Sequence, residues 1–222
     1  LQVGHGAKLP AVLRHLPRVV PEEPDRPVLA DEAHPMRTVT RQIAFEPGGW
    51  TAERRQKVAE LFDGLAPTWH ERDVTVRHDG LLDALERGGP FTDGPCLEVG
   101  AGVGIFTPDL AAAFDTVVAL DVSAEMITRL DAAVAPRVLA DSARLPFPDR
   151  TAGVVVLVNM FLFPAEVDRV LRPDGAVVWV SALGDGTPIY LSPEDVDAAL
   201  PGEWEGLASE AGWGTWSVWR RA

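Results

Sequence analysis

The stretch Cys96-Leu-Glu-Val-Gly-Ala-Gly-Val-Gly104 decides the fold. Its first four residues read as a short strand over 96–99. The three glycines that follow permit a tight turn and let a ligand approach bare backbone. A helix is expected next, near 105–113, so its unpaired N–H groups would face whatever sits over the turn. A strand, a glycine turn and a helix in this order suit a dinucleotide, a nucleoside or no ligand at all, so the neighbouring sequence has to narrow the choice.

Downstream, short apolar runs alternate with helical stretches. Strands are expected at 96–99, 116–120, 137–140, 153–158 and 176–181. Helices are expected near 105–113, 124–134 and 164–171. The run Gly153-Val-Val-Val-Leu-Val158 is apolar throughout, as in a central parallel strand covered on both faces. Ser192-Pro193 suits the start of a helix over 193–200. Two strands near 202–209 and 213–220 flank Ala211-Gly212. The order predicts an α/β fold: a doubly wound, mostly parallel, seven-stranded sheet with a C-terminal antiparallel hairpin. Helices lie on both faces, and a helical extension precedes the sheet. Ligands of such sheets bind at the carboxyl ends of the strands.

Three features narrow the ligand. The glycines are spaced Gly-x-Gly-x-Gly, whereas the dinucleotide fingerprint places its third glycine one residue later. Glu98 lies two residues before the first glycine, where a carboxylate repels a pyrophosphate and attracts a cation. Asp121 ends the second strand, 17 residues after Gly104, where it can accept from two ribose hydroxyls. The ligand implied has a ribose and a positive charge and lacks phosphates.

These residues resemble the first two motifs of the class I (Rossmann-like) S-adenosylmethionine-dependent methyltransferases. Ala140-Asp-Ser-Ala-Arg-Leu-Pro146-Phe-Pro-Asp149 is similar to the family's third motif, Val158-Asn-Met-Phe161 to the segment after strand four, and Arg169-Val-Leu-Arg-Pro-Asp-Gly175 to the turn before strand five. The resemblance spans about 95–220. It departs from the family in the short stretch between strands four and five, which leaves little room for a substrate-binding insertion. The resemblance implies S-adenosylmethionine as cofactor and these roles. Gly100, Ala101 and Gly102 line its methionine and ribose. Glu98 orients the ammonium, directly or through water. Asp121 holds the ribose, and Val122 and Met126 flank the adenine. Asp141 and Ser142 read the adenine edge, and Asn159 and Phe161 lie near the sulfonium. Each also has a plainer reading. Glu98 would cap backbone, Asp121 would cap a helix that Ser123 already caps, Asp141 and Asn159 would be turn or loop residues, and Met126 would pack with Leu130 and Val134.

The reaction implied is in-line methyl transfer, in which alignment of the acceptor supplies most of the rate. No residue identifies itself as a general base. In related enzymes the N-terminal helices cover the cofactor and shape the acceptor pocket, which makes Trp69, His70 and His78 candidates for substrate binding. Their plainer reading is two surface histidines and a core tryptophan. Trp204, Trp213, Trp216 and Trp219 are expected to pack a sheet edge.

Composition bounds the partners. The chain has 222 residues, 46% of them apolar, and a net charge of -13. Such charge repels phosphate backbones, and the densest basic run, Arg54-Arg-Gln-Lys57, reads as a solvated helix face. Nucleic acid is therefore not an expected substrate, and a small molecule is. No apolar run is long enough to span a membrane. The start has no apolar signal region. The lone cysteine, Cys96, excludes an intrachain disulfide and fits a cytoplasmic protein. No histidine has metal-ligand spacing, so no metal is expected. Oligomeric state is not readable.

Three parts are expected: a Pro-rich, irregular arm over 1–50, helices over 51–94 that cap the site, and a cofactor domain over 95–222. The arm rests on six prolines and three of the five histidines (His5, His15, His34, read as solvent-exposed) within the first 35 residues. Met36 is a candidate native start with vector-derived or upstream sequence before it. Thr51 should cap a helix over 51–66 that Pro67 ends, and a second helix over 77–87 should turn Leu81, Leu82 and Leu85 inward. The rival functions are a non-catalytic methyltransferase-like binding module and a nicotinamide-dependent oxidoreductase. The glycine spacing and Glu98 oppose the oxidoreductase. An aminopropyl transferase would need a paired-carboxylate loop after strand four that this chain lacks.

Overall fold

The computed structural model describes residues 12–222. Its strands are β1 (Val12–His15), β2 (Cys96–Val99), β3 (Val117–Asp121), β4 (Arg137–Leu139), β5 (Ala152–Val158), β6 (Leu171–Ser181), β7 (Trp204–Ala211) and β8 (Gly214–Arg221). They form one sheet in the order β1-β7-β8-β6-β5-β2-β3-β4. Pairing is parallel from β6 through β4, and β8 runs antiparallel to both β6 and β7. The expected doubly wound sheet with its terminal hairpin is therefore present. β5, all seven residues of it buried, lies at the centre.

The helices are α1 (Pro35–Phe45), α2 (Ala52–Leu65), α3 (Asp79–Arg87), α4 (Thr107–Ala113), α5 (Ala124–Ile127), α6 (Pro164–Val170) and α7 (Pro193–Ala199). Two 3-10 turns, Ala66–Arg72 and Thr75–Arg77, join α2 to α3. The Thr51 hydroxyl caps α2 by accepting from the Arg54 N–H. Ser192 opens α7 with a reciprocal capping box to Asp195. Among the described residues no helix is long and apolar enough to cross a membrane.

Five expectations need correction. The arm over 1–50 is not irregular throughout: β1 pairs in parallel with β7 and makes an eighth strand where seven were expected, and α1 follows it. Val12-Leu-Arg-His15, exposed except for the half-buried Leu13, has no alternation to mark a strand, and the open edge of β7 supplies the pairing. His34 is half-buried rather than solvent-exposed, because its Nδ1 accepts from the Met36 N–H at 3.2 Å. His15 is exposed, and His5 lies outside the described residues. The helix expected over 124–134 stops at Ile127. The Arg137 guanidinium takes the carbonyls of Thr128 and Leu130 at 2.7 and 2.8 Å, and Asp131 turns the chain by accepting from Ala133 N–H at 2.9 Å.

In α3, Leu81 is buried but Leu82 is exposed and Leu85 only half-buried. The buried place goes to Asp83, whose carboxylate accepts from Arg87 Nε at 2.6 Å and from Trp216 Nε1 at 2.7 Å. A carboxylate can be buried at this cost because both oxygens are satisfied and a guanidinium balances the charge. Trp204 and Trp219 pack one side of the sheet with Leu97 and Val155, and Trp216 packs the other with Val154 and Val156. Trp213 is half-buried and donates to the Glu23 carbonyl at 3.0 Å.

Candidate functional site

β2 is hydrogen-bonded to β3 on one side and to β5 on the other, so the chain's path reverses at β2 and leaves a crevice beyond its carboxyl end. Gly100 opens that crevice with φ +80°, and a Cβ there would run into the Met160 side chain. Both facts demand glycine at this position.

One cleft, of about 780 Å³ including its mouth, occupies the crevice. It gathers Gly100, Ala101 and Gly102 from the turn after β2, Asp121 and Val122 from the end of β3, and Met126 from α5. Ser142 comes from the loop after β4, and Asn159 and Phe161 follow β5. These residues were picked from motifs spread over sixty positions, and the sheet brings them to one place.

Asp121 is buried. Its Oδ2 accepts from the Gly102 N–H at 2.8 Å and its Oδ1 from the Ser123 N–H at 2.8 Å. Burial raises its pKa, while the backbone donors at Ser123, Gly102 and Val122 oppose the rise. Each oxygen keeps a lone pair for a further donor. Ser123 caps α5 through the Met126 N–H, so Asp121 is not needed for that purpose. The Ser142 hydroxyl is buried and has no hydrogen-bond partner, although it lines the cleft. An orphaned hydroxyl beside a cavity points to a partner supplied by a ligand.

Two of the residues picked from the sequence stand behind the cleft rather than on it. Glu98 is buried and its Oε2 accepts from the Thr107 hydroxyl at 2.6 Å. Burial pushes its pKa up to about 8. The Thr107 hydrogen bond opposes the shift, and the charges of Asp121 and Asp109 add to it. Asp141 Oδ1 accepts from Trp50 Nε1 and from the Ala143 N–H, both at 2.9 Å, and Oδ2 lies 3.7 Å from Arg55 Nε. So Arg55, read as part of a solvated face, reaches this loop.

The 51–94 segment and the arm supply the opposite wall. Trp50, Val58, Phe62, Trp69 and Arg77 line the cleft. Trp50 stacks edge-on against Phe163 with centroids 5.2 Å apart, and Phe62 meets Trp69 edge-on at 5.6 Å. Trp69 thus lies where the sequence suggested. His70 does not: it is exposed at the end of a 3-10 turn. His78 is also turned away. Its Nδ1 lies 2.5 Å from Asp109 and its Nε2 2.8 Å from Asp73, in a separate surface groove. Two flanking carboxylates draw the ring away from the cleft, and its neighbour Arg77 takes the position on the cleft wall.

Sequence reading missed Trp50 and Arg77. Arg77 is the one basic residue among those lining the cleft, and Asp121 the one acid. Its Nε is buried with no partner, and its guanidinium makes one hydrogen bond, to the Arg72 carbonyl at 2.9 Å. Burial, then the Arg72 charge, lower its pKa. The Asp73 charge opposes that shift only in part, and a half-buried cation with no carboxylate within ion-pair distance is costly unless a bound anion offsets the desolvation. Trp50 sits in the loop between α1 and α2, where no periodicity marks it.

A second cleft, of about 840 Å³ and open to solvent, joins the first. Phe62, Trp69, Arg77, Asn159 and Ile189 line both. None of Trp204, Trp213, Trp216 and Trp219 lines either. Among the described residues no group of three or more His, Cys, Asp or Glu side chains is placed to hold a metal ion.

Comparison with known proteins bears on this geometry. Residues 97–179 match a family model described as a methyltransferase domain. The chain is 29% identical over 182 residues to the biotin biosynthesis bifunctional protein BioHC of Cellvibrio japonicus; that alignment takes in 74% of this chain but only 36% of the relative's length. Among solved structures, a DhpI–SAH complex superposes with a TM-score of 0.59 at 24% identity, over 76% of this chain and 97% of that one. A SAM-dependent methyltransferase from Aquifex aeolicus gives 0.55 at 18% identity, over 72% and 96%. These two likenesses are of fold.

Proposed function

From the match of residues 97–179 to a methyltransferase domain, we propose that this chain is a class I S-adenosylmethionine-dependent methyltransferase and that it methylates a small-molecule acceptor held in the second cleft. The observation that carries the reading is the single cleft that joins the Gly100 turn, Asp121 and the orphaned Ser142 hydroxyl at the sheet's switch point. On this reading 95–222 is the cofactor domain and 51–94 caps it, with Trp50 from the arm completing the wall. Cys96, its thiol pushed up by burial, suits a reducing cytoplasm.

When bound, S-adenosylmethionine supplies a methyl group on a sulfonium that becomes neutral as the methyl departs. The residues present suit it. Asp121 has lone pairs left for two ribose hydroxyls, and Gly100 and Gly102 offer bare backbone. Ser142 can meet the adenine edge, and Val122 and Met126 can flank its ring. Asp141 serves that edge less directly than the sequence suggests, since Trp50 and Ala143 occupy one of its oxygens. Arg77 is the cation on the cleft wall able to pair with the methionine carboxylate. Glu98, under the turn, acts on the ammonium from behind. Asn159 stands where the two clefts meet and Phe161 lines the first beside it, which supports an acceptor on the far side of Asn159. The aromatic wall of Trp50, Phe62, Trp69, Phe161 and Phe163 excludes water, and a water-poor site favours a step in which charge disappears. Alignment across the junction supplies the remaining acceleration.

The test is turnover with methyl-labelled S-adenosylmethionine against a panel of small acids, alcohols, amines and thiols. Label should pass to at least one acceptor class in the wild type and to none in Asp121→Ala. Cofactor binding without transfer to any acceptor would make the chain a non-catalytic binding module.

A further inference from the structure

The second cleft is largely apolar, and its walls include Leu29, Met36, Leu61, Leu65, Leu183 and Ile189. Its polar side chains have a common character. Asn159 commits its Oδ1 to the Ala182 N–H at 2.8 Å, which leaves its NH2 as the group it can still offer. His34 accepts from the Met36 N–H through Nδ1, so the proton of the neutral ring is on Nε2. Trp69 has only an N–H to give. The Thr187 hydroxyl already accepts from the Leu183 N–H at 3.3 Å. Arg72 stacks over Trp69 at 4.5 Å and makes one long contact, 3.5 Å, to the Thr68 carbonyl. Neither Arg72 nor Arg77 has a carboxylate within ion-pair distance among the described residues, and no Asp or Glu lines this cleft.

Donors with no carboxylate to meet them, on an apolar wall, call for a ligand that brings acceptors and negative charge. We propose that the second cleft takes an amphiphilic acid in its anionic form, with an apolar body along the leucine wall and a carboxylate-like group anchored by Arg72. The proposal rests on the methyltransferase reading only for calling this ligand the acceptor. Arg77, at the junction, is left to the cofactor's own carboxylate, so Arg72 is the anchor that belongs to the acceptor alone. The same wall disfavours amines: a cationic ligand would meet two arginines and no carboxylate to take its proton. An anion that arrives ionised needs no base, which agrees with a cleft that offers none.

The probes are octanoate, its neutral amide and octylamine, titrated calorimetrically into the full chain with and without saturating S-adenosylhomocysteine. A charged hydrogen-bonded anchor makes octanoate bind about ten-fold or more tightly than octanamide, with octylamine weakest. Arg72→Gln should bring octanoate to the level of octanamide, Arg72→Lys should keep much of the preference, and neither should change the affinity for S-adenosylhomocysteine. Equal binding of octanoate and octanamide, tighter binding of octylamine, no binding of any probe, or an undiminished preference in a folded Arg72→Gln would each overturn the proposal. Loss of S-adenosylhomocysteine binding in the wild type, with octanoate still preferred, would instead strike the cofactor reading and leave the anion site standing.

Discussion

Replacing Glu98 by glutamine isolates one buried ionisation. The carboxyl lies under the Gly100 turn, 2% exposed, and is pushed from 4.5 up to about 8 by burial. At pH 7 it is mainly the neutral acid, accepting from Thr107. A group whose pKa rises on folding contributes stability that is fully present below its unfolded value and is lost as pH rises through its folded value. Glu98 should therefore cost the fold about 1.4 kcal/mol per pH unit between about pH 5 and pH 8. The amide keeps an oxygen for the Thr107 hydroxyl and has no proton to lose. In urea titrations of wild type and Glu98→Gln at several pH values, all other groups cancel in the difference. The variant should gain about 3 kcal/mol on the wild type between pH 5.5 and pH 8. Parallel profiles, with a difference that does not change over that range, would refute the assignment of Glu98 as a buried acid. Cofactor binding adds a second reading: an ammonium near Glu98 favours its ionised form, so binding at pH 7 should release a proton in the wild type and none in the variant, as calorimetry in two buffers would show.

Three further outcomes follow from the geometry. Gly100→Ala sets a side chain at φ +80° against Met160, and should cost about 1–3 kcal/mol by chemical denaturation and abolish S-adenosylhomocysteine binding. In His78, burial alone would lower the pKa, but the bonds and charges of Asp109 and Asp73 outweigh it and raise the value. Its contribution is thus present below pH 6.5 and lost as pH rises through the folded value; His78→Gln should flatten that part of the stability profile and leave cofactor affinity unchanged. Arg77→Gln should weaken S-adenosylhomocysteine about ten-fold or more by calorimetry, and an analogue lacking the carboxylate should bind both proteins alike.

What could be read in the sequence was what local chemistry dictates. Gly100 needs φ above zero, Val154-Val-Val-Leu-Val158 needs cover on both faces, and Ser192 and Thr51 cap their helices through their own side chains. These are short-range requirements, and they placed both the sheet and the cleft at its switch point. What escaped depends on partners distant in the chain. β1 is a strand because β7 has a free edge, not because of its own pattern. α5 ends early because Arg137, nine residues beyond Thr128, takes its carbonyls. Asp83 is inward because Trp216 and Arg87 meet it there. The same cause decides between the two readings of His78: Asp73 and Asp109 claim it, so it is not on the cleft, and Arg77, which nothing local marks, faces the cleft instead.

The central claim is that this cleft binds S-adenosylmethionine through Asp121, and thermal unfolding with S-adenosylhomocysteine, with NAD and without ligand tests it most directly. A ligand at about a hundred times its Kd stabilises the folded state by about 2.7 kcal/mol, which for a chain of this length is a rise of about 5–10 °C. S-adenosylhomocysteine should produce that rise in the wild type, NAD should produce none, and Asp121→Ala should respond to neither. A rise with NAD alone, or a rise with S-adenosylhomocysteine that survives Asp121→Ala undiminished, would contradict the account.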